Sequence, residues 1–216
     1  RMTRQGLGQG EKTKKQSMIL ELGCGTGLTT LSLSKHIKNA RIISVDKELT
    51  MLRQHKANVV EGRELELAGS GLVIKTFQDD ALEFLKKCES SSFDGVVTAF
   101  MLHNLPIALR AKILKEIARV LRPKGVFVNG DKIAPDNEKL HNQYLLRQLK
   151  KFIDAYTAPE DMAYCVGWIE HYAQDNQLGI RYKESEVRSS LKDTGFGKIK
   201  IVGRRCMEAI AVATRL

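Results

Sequence analysis

Met18-Ile19-Leu20-Glu21-Leu22-Gly23-Cys24-Gly25-Thr26-Gly27 runs from an apolar strand directly into three glycines at alternate positions, and a periodic stretch at 28–37 follows. The pattern predicts a strand, a tight glycine turn and a helix. Working outward, residues 41–45 are a second apolar run ending in Asp46, and 47–58 carry Met51 and Leu52 near helical spacing. Gly69 and Gly71 break the chain before a third strand at 72–77, which leads through Asp79-Asp80 into a helix at 81–87. After the serine turn at 90–92, residues 93–100 are mostly apolar, as a strand buried on both faces of a parallel sheet requires. Residues 101–106 form the loop beyond it. A periodic helix at 107–121 (Ile113, Ile117, Val120, Leu121) is stopped by Pro123 and Gly125 before a short strand at 126–128.

This alternation predicts an α/β protein with a doubly wound, mostly parallel sheet and helices on both faces. From 135 to 195 no strand pattern occurs. The segment is aromatic and helical, and it reads as an insertion, or lid, over an apolar pocket before the last two strands. Those strands, 198–202 and 209–213, form a C-terminal β-hairpin at the sheet edge and bring the expected total to seven. One domain over 1–216 suits the length.

Composition narrows the class. Hydrophobic residues are 43% and charged residues 28%, which excludes a disordered chain and a disulfide-stapled miniprotein. No apolar run approaches the ~18 residues that span a bilayer, and the basic segment 1–16 has no signal-peptide core. A cytoplasmic protein without membrane contact is expected. The four cysteines, Cys24, Cys88, Cys165 and Cys206, are far apart, so free thiols and no metal cluster are expected. The net charge of +10 suits nucleic acid, an acidic substrate or solubility alone. Its basic group at 110–124 falls mostly on the solvent side of a helix.

Ligands of doubly wound sheets bind beyond the carboxyl ends of the strands. A dinucleotide fingerprint needs G-x-G-x-x-G, but position six from Gly23 is Leu28, and the spacing G-x-G-x-G disfavours NAD. No G-x-x-x-x-G-K-[ST] phosphate loop occurs either.

Glu21-Leu22-Gly23-Cys24-Gly25-Thr26-Gly27, with Asp46 19 residues beyond Gly27, resembles the cofactor site of class I S-adenosylmethionine-dependent methyltransferases, a Rossmann-like family. Asp79-Asp80-Ala81, Phe93-Asp94, Leu121-Arg122-Pro123-Lys124-Gly125 and Leu191-Lys192-Asp193-Thr194-Gly195-Phe196 fit later landmarks in order, so the resemblance runs from about Met18 to Val212. It implies S-adenosylmethionine as cofactor and S-adenosylhomocysteine as product. Gly23, Cys24, Gly25 and Gly27 would bring backbone close to the cofactor. Asp46, with Lys47 beside it, would accept from the ribose hydroxyls. By the same resemblance, Asp80 would accept from the adenine amino group and Ala81 would donate to the ring, with Asp79 beside them at the strand end. Glu21 would face the methionine ammonium, and Ala99 and Phe100 would lie near the sulfonium. A strand-end aspartate also caps helices, so each assignment has a structural alternative.

His103, in the loop after the fourth strand, is the candidate general base, with a packed loop histidine as the alternative. His141, Tyr144, Trp168, His171 and Tyr172 are candidates for acceptor binding. Tyr164, Trp168 and Tyr172 are four residues apart, one helix face, which favours core. Asp131 either binds substrate or caps a helix. The expected activity is methyl transfer to a small molecule. Alternatives are an RNA-modifying enzyme using the basic stretches 4–15 and 198–205, a carboxy-S-adenosylmethionine synthase, or a non-catalytic cofactor-binding module.

Overall fold

The structure, a computed structural model, describes residues 16–61, 71–177 and 181–216. Strands β1 (Ser17–Leu22), β2 (Ala40–Asp46), β3 (Val73–Gln78), β4 (Phe93–Ala99) and β5 (Leu121–Lys132) alternate with helices α1 (Leu28–His36), α2 (Leu49–Lys56), α3 (Ala81–Lys87) and α4 (Ile107–Val120). Then come α5 (Glu138–Ala155), α6 (Met162–Asp175), α7 (Glu184–Asp193) and the hairpin β6 (Phe196–Arg205) and β7 (Glu208–Arg215). One seven-stranded sheet results, in the order β3-β2-β1-β4-β5-β7-β6. Its first five strands pair in parallel, and β7 pairs antiparallel with both β5 and β6. Strand order reverses between β1 and β4, so ligands are expected beyond the carboxyl ends of those two strands.

The main core explains these elements. Leu20 and Leu22 of β1, Val96 of β4 and Phe127 of β5 meet Ile113, Leu114 and Ile117 on one face of α4. Helix α7, though within the expected insertion 135–195, places Val187 and Leu191 in this same core. Helices α5 and α6 cover a separate cluster of Tyr172, Ala134 and Met207 with Tyr144, Leu149 and Phe152 packed around it.

Two expectations need correction. Strand β5 spans 12 residues rather than the short run 126–128, because Leu121 already pairs with Phe93 across an irregular register that accommodates Pro123. Strand β4 stops at Ala99, since Phe100 takes a φ of 51° and turns the chain out of the sheet. Residues 1–15 of the basic segment, and Gly69 with the break it was expected to make, lie outside the described residues. Among the described residues no helix is long and apolar enough to cross a membrane.

Candidate active site

The loop after β1 is built on positive φ angles: 66° at Gly23, 51° at Gly25 and 90° at Gly27. Such angles are strained for residues with a Cβ. The loop is tied to β2: the amides of Gly23 and Cys24 donate to Val45 O at 2.8 and 3.1 Å. The Gly25 amide donates to Asp46 Oδ2 at 2.8 Å, and the Glu48 amide to Asp46 Oδ1 at 2.9 Å. A carboxylate has about four acceptor positions, so Asp46 keeps capacity for two ligand hydroxyls. A Cβ on Gly25 would meet nothing within 4 Å, which leaves that backbone open to close approach.

A cleft of ≈ 580 Å³ lies over this loop, within the ~300–1,000 Å³ usual for small-ligand sites. Ten of the predicted cofactor residues line it: Gly23, Cys24, Gly25, Asp46, Lys47, Asp79, Asp80, Ala81, Ala99 and Phe100. The sequence reading missed Leu28, Met51, Met101 and Asn104 in the same wall. Leu28 and Met51 are large apolar side chains left 73% and 43% exposed in the first turns of α1 and α2, an exposure that only the structure reveals. The Cys24 thiol is pushed up by burial and by the negative charges of Glu21 and Asp46. It is a neutral wall group rather than a nucleophile.

Asp80 also fills its alternative role. Its Oδ1 accepts from the amides of Leu82 at 2.8 Å and Glu83 at 3.2 Å, capping α3. Asp80→Ala is therefore expected to cost about 1 kcal/mol and to lower Tm by roughly 2–4 °C, measured by thermal melting. Asp79 accepts from Lys87 Nζ at 2.6 Å.

Glu21 and Gly27 do not line the cleft. Glu21 is 1% exposed, and its Oε2 accepts from the hydroxyls of Thr30 and Ser44, while His55 Nε2 lies 2.8 Å from Thr30 Oγ1. Alternation along β1 aims this side chain under the loop at α1, with Oε1 buried and without a hydrogen-bond partner. Burial raises the Glu21 pKa above 4.5, opposed by the hydrogen bonds from Thr30 and Ser44. A carboxyl raised on folding contributes stability at low pH that is lost as pH rises through the folded value. Glu21→Gln removes that loss. The variant is expected to gain stability relative to the natural protein as pH rises above the ~4.3 of an unfolded glutamate, as read by urea unfolding at each pH.

A second, smaller cavity lies beyond Phe100, lined by His103, Lys132, Tyr172, Asp175 and Arg181 among others. The ring of Phe100, on the cleft wall, meets that of His103 edge-on at 6.3 Å. His103 therefore sits one side chain away from the cleft. Its amide donates to Asp131 Oδ2 at 3.2 Å, and its Nδ1 is held by Asp131 Oδ1. Arg110 braces the same turn, donating to His103 O at 3.0 Å and Leu105 O at 2.8 Å. It is 2% exposed, so the first member of the basic group 110–124 faces inward.

The acceptor candidates divide. Tyr172 is buried and lines the smaller cavity, and His171 Nε2 lies 3.5 Å from Asp175 Oδ2. Trp168 stacks on Phe152 at 5.7 Å, Tyr144 packs in the cluster below, and His141 is 1% exposed, its basicity lowered by burial. None of these five lines the cofactor cleft.

Residues 19–125 match the model of a family described as "Methyltransferase domain". The chain belongs to the class I S-adenosylmethionine-dependent methyltransferase family. This methyltransferase is 26% identical over 192 residues to a carboxy-S-adenosyl-L-methionine synthase of Nautilia profundicola, covering 88% of this chain and 73% of that protein. A solved SAM-dependent methyltransferase of Methanosarcina mazei shares the fold with a TM-score of 0.60 at 19% identity, covering 94% of both chains. A putative sarcosine dimethylglycine methyltransferase of Galdieria sulphuraria gives 0.56 at 19% identity, and here the chain spans 58% of the other's length while 88% of it is covered. S-adenosylmethionine is the family's cofactor, and the methyltransferase's open Gly25 backbone and the spare acceptor capacity of Asp46 fit it.

Proposed function

We propose that this methyltransferase transfers the methyl group of S-adenosylmethionine to a small molecule. The acceptor would enter the cleft beside Phe100 and Met101, just past the end of β4. The observation that carries this is the cleft itself, at the point of strand reversal, with its glycine loop latched to Asp46.

Asp46 would hold the ribose hydroxyls. Asp80 and the Ala81 amide would meet the adenine, and the glycine loop with Ala99 and Phe100 would flank the amino-acid end. When bound, the cofactor supplies a sulfonium methyl group open to in-line displacement by a nucleophile. Such a leaving group needs no proton, so the protein's task is alignment and exclusion of water. An acceptor O–H or N–H must still lose its proton, and His103 is the candidate base for it.

A small acceptor suits the setting better than RNA does. The basic strand β6 lies at the far edge of the sheet, separated from β4 by β5 and β7. The cleft wall carries the apolar side chains of Leu28, Met51 and Phe100 rather than a run of cations. A cytoplasmic location agrees with four free cysteines. The test is to incubate the protein with S-adenosylmethionine and hydroxyl, amine, thiol and activated-carbon acceptors, and to measure S-adenosylhomocysteine. Acceptor-dependent formation supports the reading, and formation only with RNA overturns it.

The Nautilia relative favours one second reading, in which the cofactor itself is carboxylated. Mass spectrometry separates the two, because a carboxylated S-adenosylmethionine would appear in place of S-adenosylhomocysteine.

A further inference from the structure

We propose that His103, His171 and Asp175 form a binding site for a divalent transition-metal ion, with zinc the ion that suits the donors best. His103 is 6% exposed, and its Nε2 is buried without a hydrogen-bond partner. Leaving a buried polar group unpaired costs about 1–3 kcal/mol, and this nitrogen is aimed at other metal-ligating groups. It lies 3.9 Å from Asp175 Oδ2, and His171 Nε2 lies 3.5 Å from the same oxygen. All three ligand atoms fall within 4.8 Å of one another. Zinc bonds of ~2.0–2.1 Å in a tetrahedral arrangement separate their donors by roughly 3.3 Å. Modest side-chain rotations therefore close the site, with no backbone rearrangement.

The surroundings agree. His171 and Asp175 are four residues apart on α6 and project from one face. Asp131 stands behind His103, accepting from Nδ1, which fixes the tautomer and turns the Nε2 lone pair outward. A carboxylate behind a ligating histidine is the common support of metal sites. Lys132 Nζ pairs with Asp175 Oδ2 and lies 4.1 Å from the Tyr172 ring centroid, so one cation already shares the carboxylate. Arg181, the other cation lining the cavity, is paired with Glu138, and the Asp175 carboxylate has about four acceptor positions to share.

Two histidines and one carboxylate leave coordination positions open, as in catalytic rather than structural sites. The cavity beside His103 and Asp175 has room for about one water molecule, so water would complete the coordination. The metal site does not depend on the proposed function.

The test titrates cobalt(II), then competing zinc(II), into the full chain without a histidine tag and after chelator treatment. Neither cofactor nor acceptor is added, so failure of the methyl-transfer reading would leave the outcome untouched. The expected result is one ion per chain, with visible ligand-field bands. His171→Ala and Asp175→Asn should each weaken binding at least tenfold, and Asp131→Asn by about 10- to 100-fold. The His171 side chain is 43% exposed, so its truncation leaves the fold intact, as a melt will verify. No binding by the natural chain, or binding unchanged by His171→Ala and Asp175→Asn, would overturn the proposal.

Discussion

Gly27→Ala is expected to destabilise the protein by roughly 2–5 kcal/mol, the sum of a left-handed backbone penalty and an overpacking penalty. Gly27 has a φ of 90°, and a Cβ there would come within 2.6 Å of Val59 Cγ2 and 3.0 Å of His55 Cδ2. Both neighbours are buried, and His55 is held by Thr30, so neither can swing away freely. Thermal melting should show a fall in Tm on the order of 10 °C. Gly25→Ala provides the contrast. Its Cβ meets nothing within 4 Å, so only the cost of its φ of 51° remains, and the larger loss should be in cofactor affinity. Equal melting temperatures for the two variants would contradict this account of the loop.

The second large effect belongs to Asp46. Removing its carboxylate takes away the acceptor for the Gly25 and Glu48 amides and the partner proposed for both ribose hydroxyls. Hydrogen bonds to a charged group contribute about 1.5–3 kcal/mol each. Losing two such bonds predicts a fall in S-adenosylmethionine affinity of roughly 100-fold or more for Asp46→Ala. Calorimetry gives the affinity, and a melt in parallel separates it from the cost to the loop. An affinity within about threefold of the natural protein's would remove Asp46 from the site.

Much of the fold was legible because its signals are local. Strands β1 and β2 are apolar runs ending at Gly23 and Asp46, β4 is an apolar run ending at Phe100, and their expected limits fell within one residue of the observed ones. Strand β5 was underestimated because residues 121–125 read as the end of a helix, and only their pairing with β4 makes them strand. The cofactor wall was legible wherever it consists of strand ends and the turns after them. The burial of Glu21 was not legible because its partners Thr30 and Ser44 come from other elements.

The cluster of His103, His171 and Asp175 was hidden for a related reason. His171 and Asp175 are readable as a pair on one helix, but nothing local joins them to His103, 72 residues before Asp175. Likewise, Arg110 reads as one more cation on a solvated face. It turns inward because the carbonyls of His103 and Leu105 need donors in that buried turn.

The most direct measurement is isothermal titration of the intact protein with S-adenosylmethionine, with NAD as the comparison ligand. One cofactor bound per chain and no heat from NAD is the predicted result, since Asp46 suits an adenosyl ribose while the G-x-G-x-G spacing departs from the dinucleotide fingerprint. Binding of NAD in preference to S-adenosylmethionine, or no binding of S-adenosylmethionine at all, would contradict the assignment of the cleft.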